Sequence, residues 1–306
     1  MNIGRIGVWT SQFDFVSADA VRTAVQNLED LGYGAIWVGE NIGREPIAQA
    51  GLLLSTTDRL VVATGIANIW ARDPLATVAA QLTLAEAYPD RFLLGLGASH
   101  ARLVETHRGH PYASPLRKMR DHLSAMDQFA ESYRAIKPPS RPPRVLAALG
   151  PKMLGLAAEL ADGAHTYFVP PEHTARARAA LGDGKLLAVE QAIVLETDAV
   201  KARAIARTHT RRYLPLANYT NNLRRLGFDA ADFDHEGSDR LVDAIVAWGN
   251  LQTIVRRIDD HWQAGADHVC LQVITENQQA LPTDTWHELA STLSSPSPSA
   301  SRRTRS

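Results

Sequence analysis

One cysteine stands among the 306 residues, Cys270, so no internal disulfide can form and a small disulfide-framed scaffold is excluded. No apolar run approaches the roughly 20 residues needed to cross a bilayer, the longest being broken by Gly, Asp or Arg, so no membrane insertion is expected. An excess of either charge is missing as well. Lys plus Arg (32) balances Asp plus Glu (33) to a formal net charge of −1, which leaves no global field to gather nucleic acid or an anionic membrane. The opening residues lack a basic-then-apolar leader, and the expected location is cytoplasmic. His100, His107 and His110 share one stretch, but no carboxylate completes a ligand spacing there, and no metal is expected. What remains is a chain with 45% apolar and 21% charged residues, enough for a soluble globular protein, about the right size for one large α/β domain, though two compact domains fit the length as well.

Short β-branched runs alternate with amphipathic stretches at helical spacing, the pattern of successive βα units. RIGVWT (Arg5 to Thr10), AIWVG (Ala35 to Gly39), LVVATGI (Leu60 to Ile66) and RFLLGLG (Arg91 to Gly97) read as the first four strands. RVLAALG, ADGAHTYFV, LLAVEQAIVLE and HVCLQVI read as the other four. Ser17 caps the first helix, and prolines at 46, 74, 151 and about 282 open others, where a missing N–H costs nothing. Eight such units predict a (β/α)8 barrel over residues 1–293 with insertions at the carboxyl-terminal face. Residues from about Tyr213 to Gly249 form a long connection that reads as a cap over the mouth, and SSPSPSASRRTRS, residues 294–306, reads as a disordered tail.

Active sites of such barrels lie at the carboxyl ends of the strands. Glu40 and Asn41 follow the second strand and place a carboxylate and an amide there. Gly65 follows the third, where its backbone can approach a planar ligand closely. Gly95 and Gly97 fall short of a dinucleotide fingerprint, lacking the third glycine, but Ser99 and His100 behind them offer a hydroxyl and an imidazole able to shuttle a proton. Gly150, Pro151, Lys152 and Met153 put a helix N-terminus and a lysine together, a phosphate-favouring arrangement. Cys270 sits between apolar neighbours and reads as a small core residue.

RIGVWT, GYGAIWVGEN, LVVATGIANIWARDPLATVAAQLTLAEAYPDRFLLGLGASH, ALGPKMLGLAAELADGAHTYFVPPEH and GADHVCLQV occur in an order that resembles the luciferase-like oxidoreductases, most closely their coenzyme F420-dependent branch. The resemblance runs from about residue 3 to 290. It implies a (β/α)8 barrel that binds a deazaflavin at the strand ends and moves a hydride to or from a small organic substrate. By position it implies a non-prolyl cis peptide between Gly65 and Ile66 that presses on the ring, Asn68 at the ring edge, a loop of Gly97, Ala98, Ser99 and His100 beside it, and Gly150 to Met153 on the phosphate. Glu40, Asn41 and His100 become the catalytic candidates. Some relatives carry Asp-His where this chain has Glu40 and Asn41; an amide orients a carbonyl but accepts no proton, which argues against the sugar-phosphate dehydrogenase activity of that subgroup. Two alternatives fit the same family: an FMN-dependent monooxygenase using molecular oxygen, and a non-catalytic flavin-binding protein whose mouth is filled by Tyr213, Tyr219, Phe228 and Phe233. Family relatives are often homodimers, so a homodimer is a possible assembly.

Overall fold

Alternation at period two builds the first strand, β1 (Ile6–Thr10): Trp9 joins an interior cluster while Val8 faces the opposite way, into the layer beneath the helices. In the computed structural model, which describes residues 1–293, each following unit repeats this arrangement. Helix α1 (Ala18–Asp30) begins at Ser17, whose hydroxyl accepts the Ala20 N–H, and buries Val21, Ala24, Val25 and Leu28 along one face. Then come β2 (Ala35–Val38), α2 (Pro46–Leu54), β3 (Val61–Thr64), the two-residue β4 (Ala67–Asn68), α3 (Pro74–Ala87) and β5 (Phe92–Gly97). A π-helical segment, Arg102–His107, leads into α4 (Pro115–Ser132), followed by β6 (Arg144–Ala147), α5 (Pro151–Leu160), β7 (Gly163–Thr166), α6 (Pro171–Leu181) and β8 (Leu186–Val194). Helices α2 to α6 all start on proline, and Glu45 and Asp73 cap two of them through their carboxylates, accepting the N–H groups of Ala48 and Ala76.

After β8 the chain leaves the repeat through α7 (Ala199–Tyr213), α8 (Ala217–Arg225), α9 (Ala230–Phe233) and α10 (Asp239–Ile245), then returns by β9 (Val246–Trp248). Helix α11 (Leu251–Gln263), β10 (His268–Val273) and α12 (Thr283–Leu293) complete the ring. All strand pairings are parallel, in the order β10-β1-β2-β3-β5-β6-β7-β8, and β10 pairs with β8, with His268 opposite Ala188 through Val273 opposite Ile193. The sheet therefore closes, and the fold is a (β/α)8 barrel. Two boundaries differ from the sequence reading. The inserted segment begins at α7, earlier than Tyr213, because α7 is amphipathic enough to pass for an ordinary barrel helix. It also ends in a ninth strand, β9, which adds beside the last three residues of β8. The expected tail, 294–306, lies outside the described residues.

Two apolar layers result. Trp9, Ala35, Trp37, Val61, Ala63, Leu93, Val145, Ala188 and Cys270 fill the barrel, while Val62, Leu94, Leu146, Val189 and Leu271 pack outward against the helices. A separate cluster of Phe168, Ala192, Val194, Ala202, Ala206, Leu223 and Leu241 joins the insertion to the top of β8. Among the described residues, no helix is long and apolar enough to cross a membrane, and no group of three or more His, Cys, Asp or Glu side chains is gathered as a metal site.

Candidate functional site at the carboxyl ends of the strands

Small residues at the ends of adjacent strands set the floor of the mouth. A Cβ on Gly65 would stand 2.6 Å from Trp9 Nε1 and 3.4 Å from His165 Nε2, and the Trp9 indole donates to the Gly65 carbonyl at 3.0 Å. The Gly65–Ile66 peptide is cis. A Cβ on Gly97 would overlap Ile66 Cδ1, so the absent side chain of Gly97 makes room for Ile66, which lies partly exposed at the strand ends. Beyond this turn, β4 carries Asn68 alongside Gly97. Asn68 is fully buried; its Oδ1 accepts the Trp70 N–H at 3.0 Å, and its Nδ2 has no partner.

Glu40 is wholly engaged. Oε2 accepts the Asn68 N–H at 2.7 Å and Arg72 at 2.8 Å, Oε1 accepts Arg108 at 2.6 Å, and the side chain is 5% exposed. Arg72 continues to Glu45 at 2.6 Å. The carboxylate thus ties the end of β2 to β4 and to the segment after β5, while the neighbouring Asn41 is exposed. Ala98 and Ser99 are fixed through their carbonyls, by the Trp70 indole at 3.0 Å and the Tyr112 hydroxyl at 3.1 Å, with Ser99 at φ 56°. His100 is half-buried with Nδ1 unpartnered, and burial pushes its pKa down, favouring the uncharged imidazole. His107 and His110 are exposed.

Helix α5 starts at Gly150 without any side-chain cap, so its first-turn dipole end is left to an outside partner. Lys152 is exposed there. Sequence reasoning missed a second cation: Arg225, at the end of α8, whose guanidinium lies 3.6 Å from where a Gly150 Cβ would be, and whose carbonyl is held by Arg176 at 2.7 Å. The doublet Arg224–Arg225 was visible in the sequence, but nothing local placed it over a helix 75 residues earlier. An uncapped helix N-terminus flanked by two cations fits a phosphate, and the unpartnered Nδ2 of Asn68 fits the polar edge of a ring. The residues present therefore suit a phosphate-bearing flavin or deazaflavin.

The other half of the mouth is aromatic and polar. Tyr167 packs on Trp9 at 5.2 Å between centroids and donates to Gln272 Oε1 at 2.7 Å, and its hydroxyl is 2.6 Å from that of Tyr213. Tyr213 and Tyr219 from the insertion close around Phe168 at 4.9 and 5.5 Å. Phe228 and Phe233 stand apart from these rings, each beneath an arginine, Arg240 and Arg224. Below them Glu190, on β8, is buried and accepts the Phe168 N–H at 3.1 Å. It too escaped the sequence reading, although a glutamate and a glutamine inside the apolar run LLAVEQAIV are a visible anomaly.

The family model described as luciferase-like monooxygenase matches residues 4–268. A Mycobacterium tuberculosis protein assigned by inference as a coenzyme F420-dependent oxidoreductase is 29% identical over 200 residues, 56% of each chain. A 5,10-methylenetetrahydromethanopterin reductase of Archaeoglobus fulgidus is 28% identical over 155 residues, 45% of this chain and 46% of that one. The chain thus spans about half the length of these curated relatives. Among solved structures, an F420-dependent secondary alcohol dehydrogenase in complex with an F420–acetone adduct superposes with a TM-score of 0.75 at 17% identity, covering 93% of this chain and 97% of its own. The oxygenating constituent of 3,6-diketocamphane monooxygenase from Pseudomonas putida, in complex with FMN, superposes at 0.68 with 14% identity, covering 94% and 95%. Both show the shared fold.

Proposed function

The chain belongs to the luciferase-like monooxygenase family, and from that premise we propose that it is an F420-dependent oxidoreductase moving a hydride between the deazaflavin and an unsaturated, alcohol or carbonyl carbon of a small organic substrate. The observation that carries the reading is the uncapped start of α5 with Lys152 and Arg225 beside it, set across the strand ends from the Gly65–Ile66 turn and the unpartnered Asn68 amide. The choice of F420 rests on the relatives whose names carry that cofactor. When bound, the deazaflavin supplies the carbon that gives or takes hydride.

The residues of this chain do the rest. Lys152, Arg225 and the free N–H groups of the first turn of α5 hold the phosphate. Ile66 and Gly65 support one ring face, and Asn68 Nδ2 donates to the ring edge, which removes the cost of leaving that amide buried and unpaired. Glu40 is assigned to positioning, because both its oxygens are committed to Arg72, Arg108 and the Asn68 N–H. His100, largely uncharged near neutrality, is free to accept a proton.

Equilibrium binding tests this directly: the purified protein and Lys152→Ala are titrated with oxidised F420 and with FMN. Tight F420 binding that weakens about tenfold in the variant, with poorer FMN binding, supports the reading. Preference for FMN together with oxygen consumption by the reduced complex moves the protein to the monooxygenase reading, which the FMN-bound structural neighbour supports. Tight binding with no turnover on a panel of alcohols, ketones and enones favours a non-catalytic flavin carrier, and binding of neither cofactor overturns all three.

A further inference from the structure

Glu190 has no part in the cofactor geometry above, yet its placement is unusual. It shares a face of β8 with Ala188, and it sits opposite Cys270 of β10, both members of the barrel-filling cluster, so its side chain points into the barrel. Its Oε2 takes the N–H of Phe168, two residues past the end of β7, which puts the carboxyl group at the carboxyl-terminal level where ligands of this fold are handled. Oε1 is buried and has no hydrogen-bond partner; among the described residues it is the one buried carboxyl oxygen in that state. The titratable groups that face it are Tyr167 of the β7 end, Tyr213 of α7, Tyr219 of α8 and Cys270 of β10, and among the described residues no cation is bonded to it. Desolvation accordingly raises its pKa to about 8, against the weaker opposing pull of the Phe168 N–H. A buried acid kept protonated in an apolar wall, with its free oxygen unpaired, is a proton held for a partner that the chain itself does not provide.

We propose that Glu190 is a further catalytic group, donating its proton to the substrate oxygen as the carbon bearing that oxygen takes up hydride, and accepting it in the reverse direction. This rests on the oxidoreductase reading above. The carboxyl O–H bond breaks, and the former C=O π pair forms the new hydroxyl O–H bond. The two electrons that reduce the carbon arrive with the hydride of the reduced deazaflavin, and the carboxylate left behind regains a proton from water. Glu190 is 1% exposed, with Tyr213 and Tyr219 of the insertion facing it, so the substrate oxygen meets the acid once these two rings move aside.

Infrared spectroscopy of the full chain and of Glu190→Gln tests the assignment over pH 6 to 10, first alone, then saturated with oxidised F420, then with cyclohexanone added as a carbonyl probe. The expected result is a protonated-carboxyl band that titrates near pH 8, is missing from Glu190→Gln, and moves to lower frequency when the probe accepts its hydrogen bond. F420 affinity should change less than about threefold in the variant, while single-turnover hydride transfer to ketones slows by about a hundredfold or more, with Glu190→Asp restoring part of it. A band that titrates but ignores the probe in an intact F420 complex overturns the assignment, as does unaltered hydride transfer in Glu190→Gln. Failure of the unmodified protein to bind F420 instead overturns the F420-dependent reading on which the assignment rests.

Discussion

Gly97 illustrates how much of this mouth is decided by single side chains. The resemblance assigns it to the cofactor loop, but the structure gives it a packing duty as well: its missing Cβ is where Ile66 lies, and Ala147 Cβ would be 3.3 Å away. Gly97→Ala forces Ile66 out of that place; with Ala147 leaving little slack, we expect a loss of about 1–3 kcal/mol. Thermal or urea denaturation checks this, and weaker binding of F420 and FMN alike should accompany it, since the displaced side chain moves into the floor. Glu190 gives a second prediction that needs no ligand. Its pKa is raised from 4.5 to about 8 in the folded chain, so above pH 4.5 the unfolded chain releases a proton that the native state keeps. This stability contribution is complete below about pH 4.5 and is lost as pH rises to about 8, so the wild type should lose stability relative to Glu190→Gln across that window. Parallel urea titrations at pH 5 and 8.5 measure it, and a difference between the proteins that does not vary with pH contradicts it.

Helix α1 shows the same logic at the scale of an element. Glu29, in its last turn, accepts N–H groups from Asp58, Arg59 and Leu60 at 2.6 to 3.1 Å and so fastens the turn that feeds β3. Burial acts to raise its pKa, but the three backbone donors and Arg59 outweigh it, and the net shift is downward. A lowered carboxylate pKa gives stability that is present above the unfolded value and fades as pH falls through the folded one. Glu29 is partly exposed and screened by solvent, so Glu29→Gln should cost no more than about 1 kcal/mol at pH 7 and progressively less below pH 4.5, as paired denaturation curves would show. Elements of this kind were legible in the sequence to the extent that their signals are local. Ser17, Pro46, Pro74 and Pro151 mark helix starts because capping and proline geometry act within one turn. The GPKM turn was readable for the same reason. The partners of Glu40 were not, since Arg72 and Arg108 reach it from 32 and 68 residues away. Nor could α7 be told from a barrel helix, because its apolar face packs on the top of β8 and on β9 as a barrel helix would, while the rest of the insertion that completes its packing lies far along the chain.

At the scale of the whole molecule, the insertion from α7 to β9 turns a generic barrel into a particular enzyme candidate. It is joined to β8 by its own core and by the pairing of β9 with Ala192 to Val194, and it is tied internally by the Arg203–Asp243–Trp248 contacts, in which Asp243 accepts from Arg203 Nε at 2.9 Å and from the Trp248 indole at 2.7 Å. So held, it delivers three side chains to the mouth: Tyr213 and Tyr219 on the aromatic side, Arg225 beside the start of α5. Arg225 separates what the barrel supplies from what the insertion supplies, because α5 and Lys152 remain when it is removed. The guanidinium acts on charge at the α5 N-terminus and on nothing in the ring, so Arg225→Ala should weaken FMN about tenfold while leaving riboflavin, which has the same ring and no phosphate, bound as before. The FMN difference should shrink in high salt, since Arg225 is exposed and screened. Equal losses for FMN and riboflavin would mean that Arg225 shapes the mouth rather than holding the phosphate, and would return that duty to Lys152 and the helix N-terminus alone.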